Sequence, residues 1–133
     1  PRQDPDGEYA AAIPKFIALL LAGEPPVIFG DGEQTRDFVY VGDVVTANIE
    51  AALSGRTGVY NVATGKSVTI NELIDTVRTI IGTNVSPTHE DPRTGDIRHS
   101  SASVSKAAAE LGFRADTSLE DGLTETVEEF RKT

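Results

Sequence analysis

The 133 residues include no cysteine, no methionine and no tryptophan, and the histidines are His89 and His99 alone. Without cysteine there is no disulfide framework, no thiolate nucleophile and no thiolate zinc site. Two histidines make a His-rich metal centre a poor expectation. Basic residues are also scarce. Twelve Lys and Arg against 21 Asp and Glu give a net charge of -9, with a pI near 4.6. That balance argues against a nucleic-acid partner, which needs a basic face to displace counterions. Long apolar runs are missing as well. The longest, from Ile13 to Leu21, is interrupted by Pro14 and Lys15 and falls far short of the ~20 residues of a membrane span. No basic stretch followed by an apolar one marks a signal peptide, so the expectation is a cytoplasmic protein with no membrane partner. A chain that opens on Pro1 with no methionine anywhere reads as a processed product or a fragment.

What is present suits a globular domain. Hydrophobic residues make up 38% and charged ones 25%, near the globular average and unlike a disordered chain. Residues 1–7 are polar and turn-rich. From Glu8 the pattern turns helical, with Ile13, Phe16, Ile17, Leu20 and Leu21 on one face. Pro14 falls in an early turn, where its missing N–H costs little, and Gly23 with Pro25-Pro26 stops the helix. Val27-Ile28-Phe29 reads as a short strand and residues 36–41 as a second. With the Gly30-Asp31-Gly32 turn between them, the pair reads as a hairpin or a close strand pair with a loop of about six residues. Asp43 is a cap for a following helix whose apolar face would be Val45, Ile49, Ala52 and Leu53. Val59-Tyr60-Asn61-Val62-Ala63 reads as a third strand. Thr69-Ile70-Asn71-Glu72 has the spacing of a capping box. It opens a helix carrying Leu73, Ile74, Val77, Ile80 and Ile81, closed by Gly82. An extended segment lies around Val85 to His89. A short helix capped at Ser103 or Ser105 runs to Leu111, and a last one from Ser118 to about Lys132 turns Leu119, Leu123, Val127 and Phe130 inward. The order is α-β-β-α-β-α-β-α-α.

Catalytic signatures are absent: no GxGxxG or GxxxxGK[ST] phosphate loop, no GxSxG and no HExxH. What stands out is arginine in Gly- and Asp-rich loops. Arg36 follows Gly30-Asp31-Gly32-Glu33-Gln34-Thr35, and Arg93 sits beside Gly95 and Asp96. Two guanidinium forks could clamp a diphosphate, with Asp96 accepting from ribose hydroxyls. The same residues could instead form surface ion pairs, Arg36 with Asp37 or Asp31 and Arg93 with Asp91 or Asp96. His89 and His99 read as ordinary loop residues, and Tyr40 and Tyr60 as packed rather than catalytic.

The order of motifs resembles the NAD-dependent epimerase/dehydratase family, extended short-chain dehydrogenase/reductases that act on nucleotide sugars. The run from Ile28 to Val41, with Phe29-Gly30-Asp31-Gly32 and Thr35-Arg36-Asp37-Phe38-Val39-Tyr40, is similar to that family's central motif. Pro1-Arg2-Gln3 resembles the end of a YGPRQ-type segment. Val59-Tyr60-Asn61-Val62-Ala63-Thr64-Gly65 and Arg93-Thr94-Gly95-Asp96-Ile97-Arg98, then Ser105-Lys106-Ala107 through Leu111-Gly112, follow in the family's order. The N-terminal GxxGxxG fingerprint and the YxxxK catalytic set have no match here. The resemblance therefore implies an α/β fold, mostly helical with a few short strands. It would be the C-terminal substrate-binding domain over residues 1–133, with the Rossmann half absent and no catalytic residue of its own.

The same resemblance implies site residues. Arg36 and Arg93 would hold the diphosphate of a UDP-sugar and Asp96 the ribose. Val27, Ile28 and Phe29 would line the uracil pocket, and Ser100 stands where some hexose epimerases present a Tyr. Ala11 and Ala12 replace an Asn-Leu pair, Gly42 an Asp that often precedes Asp43, and Ser103 an Asp before the SKA helix. NAD would be bound by the missing domain, and the parent would be a homodimer. The implied activity is that of an epimerase of the UDP-glucose 4-epimerase kind. The alternatives are a nucleotide-sugar dehydratase, a UDP-glucuronate decarboxylase, a stand-alone nucleotide-diphosphate module, or a non-catalytic interaction domain. Residues 59–63 and part of the helical surface would then pack on the missing domain, leaving an apolar patch exposed in this chain.

Overall fold

The computed structural model describes residues 11–132. The elements are α1 (Ala12–Leu21), β1 (Val27–Phe29), β2 (Thr35–Arg36), α2 (Val41–Leu53), β3 (Val68–Thr69), α3 (Ile70–Ile81), β4 (Thr88–Glu90), α4 (Ser105–Leu111) and α5 (Leu119–Arg131). The fold is α/β, mostly helical with a few short strands, although the third strand is Val68–Thr69 rather than the expected 59–63. The start of the first helix at Glu8 lies outside the described residues.

Helices α1, α3 and α5 enclose the main core. Phe16, Ile17 and Leu20 of α1 meet Ile70, Leu73, Ile74 and Val77 of α3 and Leu123 and Val127 of α5. These are the helical stripes read from the sequence, and removing them from water is the main source of stability. Leu119, Phe130, Ile80 and Ile81 pack at its edge. Helix α3 starts where the capping box places it. The Thr69 side chain accepts from the Glu72 N–H, the Glu72 carboxylate accepts from the Thr69 N–H, and Gly82 ends the helix at φ 80°. Ser118 caps α5 by accepting from the Asp121 N–H. A smaller cluster of Ala47, Ala107 and Phe113, with Tyr60 and Val62 against it, joins α2 to α4.

Several local expectations are overturned. β1 and β2 do not form a hairpin. β1 pairs in parallel with β4, Val27 opposite Thr88 and Phe29 opposite Glu90, while β2 pairs antiparallel with β3. The turn between them folds back on its own strand, with the Gln34 amide donating to the Phe29 carbonyl at 2.9 Å. The second strand covers Thr35–Arg36 rather than 36–41. Its neighbour Asp37 spends its carboxylate on the 64–65 turn, accepting from the Thr64 N–H, the Thr64 hydroxyl and the Gly65 N–H at 2.9, 2.6 and 2.8 Å.

Asp43 does not cap α2. The N-cap is Tyr40, without a side-chain cap. Asp43 is buried and accepts from the Asp116 and Thr117 N–H groups and the Thr117 hydroxyl, at 3.2–3.4 Å. Nor does Ser103 or Ser105 cap α4, whose N-cap is Val104. Tyr40 and Tyr60 donate their hydroxyls to Glu125 and Glu110.

Two departures belong together. Residues 59–63 form no strand, because no described strand lies beside them. They are held instead by Lys106 Nζ donating to the Val59 carbonyl at 3.0 Å, by the Asn61 amide donating to the Ser103 carbonyl at 3.2 Å, and by Tyr60 and Val62 packing on the Ala47–Ala107–Phe113 cluster. Helix α2 turns Ala47 and Asp43 inward. The face expected inside points to solvent: Val45 is 53% exposed, Ile49 54% and Leu53 83%, with Val41 on the same helix at 53%, and in the 59–63 segment Val59 is 85% exposed. The four α2 positions recur every four residues along one side of the helix. Among the described residues no helix is long and apolar enough to cross a membrane.

Candidate nucleotide-binding site

A cavity of about 570 Å³ opens where the ends of β1 and β4 meet two loops, within the size range of small-molecule sites. Phe29, the last residue of β1, and Arg93, three residues beyond β4, form one wall. The Arg93 guanidinium lies 3.8 Å from the centre of the Phe29 ring, a cation–π stack. Among the described residues Arg93 pairs with no carboxylate, so its charge remains available to an anion. Asp96 lines the same cavity and receives Arg36 Nη2 at 2.7 Å, while Arg36 Nη1 donates to the Thr35 carbonyl at 2.8 Å.

The loops are tied tightly. Gly32 has φ 77°, and a Cβ there would fall 2.1 Å from Asn71 Oδ1, so no other residue fits without moving Asn71. Asn71 donates to the Asp31 carbonyl at 3.0 Å, and a ring nitrogen of His89 meets the Gly30 carbonyl at 2.7 Å. A carbonyl only accepts, so that nitrogen, Nδ1, carries the proton. Arg98 grips both oxygens of Asp31, at 2.7 and 3.0 Å. This hydrogen bond, with help from the Glu33 N–H, holds the Asp31 carboxyl down at about 2, and in return the Arg98 guanidinium is raised.

The expected site residues are thus only partly brought together. Phe29, Arg93 and Asp96 line the cavity, and Arg36 joins them through Asp96. Ile28 does not: strand alternation turns its side chain into the helical core, where it is 1% exposed. Val27 begins the strand but does not line the cavity, and Ser100 sits outside it, donating its N–H to the Thr35 carbonyl at 3.1 Å. Ala11 and Ala12 line a separate apolar cavity of about 380 Å³ with Phe38, Tyr40 and the start of α5. The local ion pairs weighed from spacing do not form either, since Asp31 takes Arg98 and Arg36 takes Asp96.

Sequence reading missed Asp31, Gln34, His89 and Arg98 as cavity residues. For Arg98 a signal existed, two positions after Asp96 in an extended stretch. For Asp31, 67 residues away, it did not.

Residues 1–126 match the family model described as GDP-mannose 4,6 dehydratase. The chain belongs to this family. The relatives it matches bear out the resemblance to the NAD-dependent epimerase/dehydratase family. It is 40% identical to the UDP-glucose 4-epimerase of Mycolicibacterium smegmatis, over 98% of this chain and 42% of that protein. Among solved structures it resembles the UDP-glucose 4-epimerase of Thermotoga maritima, determined with UDP-glucose. The TM-score is 0.94 at 46% identity, covering 99% of this chain and 42% of that one. The UDP-N-acetylglucosamine 4-epimerase of Methanobrevibacter ruminantium, in complex with UDP-N-acetylmuramic acid, matches with TM-score 0.94 at 47% identity, over 99% and 43% of the two chains. At lower identity, family members include dTDP-glucose 4,6-dehydratases and UDP-glucuronic acid decarboxylase 1, and several solved members hold NAD. The chain spans about two fifths of the length of the relatives it matches.

Proposed function

We propose that residues 1–133 form the nucleotide-sugar-binding domain of an NAD-dependent UDP-sugar epimerase of the UDP-glucose 4-epimerase kind. The observation that carries this reading is the Phe29–Arg93–Asp96–Arg36 constellation around one cavity, in a family whose similar members are UDP-sugar 4-epimerases. Phe29 offers a ring face to the uracil, and Val27 and Ile28 offer the backbone of the strand that presents it. Arg93 and Arg36 neutralise the diphosphate, and Asp96 accepts from the ribose hydroxyls. Ser100 lies outside the cavity, bonded to Thr35 of β2, and contributes no contact in this reading.

No glycine-rich fingerprint in this chain fits a dinucleotide, so in this reading NAD is held by a separate N-terminal Rossmann domain. When bound there, NAD supplies the hydride acceptor for the sugar, and this chain contributes binding, orientation and charge neutralisation only. The exposed α2 stripe and Val59 are read as part of the face that meets that domain. Dehydratase and decarboxylase members of the family share this domain, and the residues that divide those activities lie outside it. A cytoplasmic location suits a nucleotide-sugar substrate and a chain without cysteine.

The test is titration of UDP into the whole protein that carries this chain, beside Arg36→Ala and Arg93→Ala. Each variant should bind at least about tenfold more weakly, the loss expected for a charge-assisted contact of ~1.5–3 kcal/mol. Unchanged affinity in both refutes the clamp. A whole protein with no GxxGxxG and no YxxxK ahead of these residues refutes the enzyme reading. Its sedimentation tests the homodimer that the family resemblance implies.

A further inference from the structure

We propose that Arg98 and Asp31 form a latch that positions Arg93 and Asp96 for the nucleotide, a role that rests on the site reading above. Arg93 and Asp96 both ride on the 91–97 loop. Every residue from 88 to 101 is exposed, and beyond the Arg93 stack on Phe29 and the Arg36–Asp96 pair the loop depends on hydrogen bonds for its position. At its start it is anchored by the β4 pairing and by the Gly30 N–H donating to the Glu90 carbonyl at 2.8 Å. Within it, the Asp96 N–H donates to the Arg93 carbonyl at 3.2 Å. At its end, the Arg98 carbonyl accepts from the Thr35 N–H at 2.9 Å, and the Arg98 side chain reaches across to both oxygens of Asp31 at 2.7 and 3.0 Å.

Asp31 is itself set by the Glu33 N–H at 3.0 Å, in the turn whose next residues lead to Gln34 and Arg36. The fork therefore ties the loop carrying one arginine of the clamp to the turn leading to the other. A two-point fork fixes direction as well as distance, which a single contact does not.

The latch makes a prediction opposite in sign to simple electrostatics. Asp31 is an anion lining a site for a diphosphate, so by charge alone its removal should strengthen binding. If it is a latch, its removal should weaken binding, because Arg93 and Asp96 lose their setting. Asp31→Asn keeps an oxygen for the Glu33 N–H while abolishing the ion pair. Arg98→Lys keeps the charge while abolishing the fork.

UDP affinity of the whole protein is measured by calorimetry for wild type, both single variants and the double variant. Thermal unfolding serves as the check on the fold. Each single variant should bind UDP roughly 3- to 10-fold more weakly, as for a partly exposed bidentate pair. The double variant should be no weaker than the weaker single one. Melting should stay within about 2 °C of wild type, since both side chains lie on exposed loops. Asp31→Asn binding as tightly as wild type or more tightly overturns the latch, and so do additive losses, which would mean Arg98 meets the ligand independently. A wild-type protein that does not bind UDP at all sinks the site reading, and the latch with it.

Discussion

Replacing Leu53 by Glu separates two fates of helix α2. In this chain Leu53 is 83% exposed, so the substitution buries no charge and should change stability by no more than ~0.5 kcal/mol. Against a second domain the same side chain would lose its remaining contact with water. Full burial of a leucine side chain is worth ~1.5–3 kcal/mol, and with about four fifths still to bury, docking gains roughly 1–2.5 kcal/mol at this position alone. A carboxylate there forfeits that gain and adds a desolvation cost of its own. The whole protein carrying Leu53→Glu should therefore lose at least about 2 kcal/mol, while the isolated chain is nearly indifferent. Ile49→Glu should behave alike with a smaller loss, because Ile49 is 54% exposed and has less left to bury. Urea unfolding of both proteins, with and without each substitution, reads the difference. Unfolding midpoints of the whole protein that do not move with either Glu would refute the docking face. So would an isolated chain that unfolds as much as the whole protein does.

Three further outcomes follow from the geometry. Phe29→Leu keeps an apolar wall but removes the ring, so UDP should bind more weakly by the ~1–3 kcal/mol of base stacking while inorganic pyrophosphate is little affected. Equal losses for the two ligands would argue against a base site at Phe29. Asp43→Ala leaves the Asp116 and Thr117 N–H groups without their buried acceptor and should cost about 2 kcal/mol in denaturant unfolding. A cost near zero would show that water replaces the carboxylate. Asp31 titrates near 2 when folded, below its ordinary 3.8, because Arg98 and the Glu33 N–H favour its charged form. Its contribution is therefore complete above about pH 4 and is lost as the pH falls toward 2. Stability of wild type should fall more steeply over that range than stability of Asp31→Asn, and parallel curves would contradict the pairing.

The sequence by itself determined the local structure whose signals are short-range. The α1, α3 and α5 stripes, the Thr69–Glu72 capping box and the stops at Gly82 and Gly112 depend on residues three or four apart. Periodicity and capping chemistry read them directly. Of the residues the family motif named, Phe29, Arg93 and Asp96 line one cavity with Arg36 paired to Asp96, while Val27, Ile28 and Ser100 do not line it.

Tertiary structure decided what depends on distant partners. A three-residue run such as Val27-Ile28-Phe29 signals a strand but not its mate, and β1 found β4 some sixty residues on rather than β2. The same alternation sent Ile28 into the core and left Phe29 at the site. Asp43 looks like a helix cap in sequence, yet burial gave it the 116–117 backbone. Val41, Val45, Ile49 and Leu53 of helix α2 carry the apolar pattern of a buried face, and within this chain they face water, as does Val59. Hydrophobic periodicity says that a face is to be covered, but not by which surface. Arg98 reaches Asp31 because the 98–100 segment pairs with Thr35 of β2, a contact between residues more than sixty positions apart that no local pattern announces.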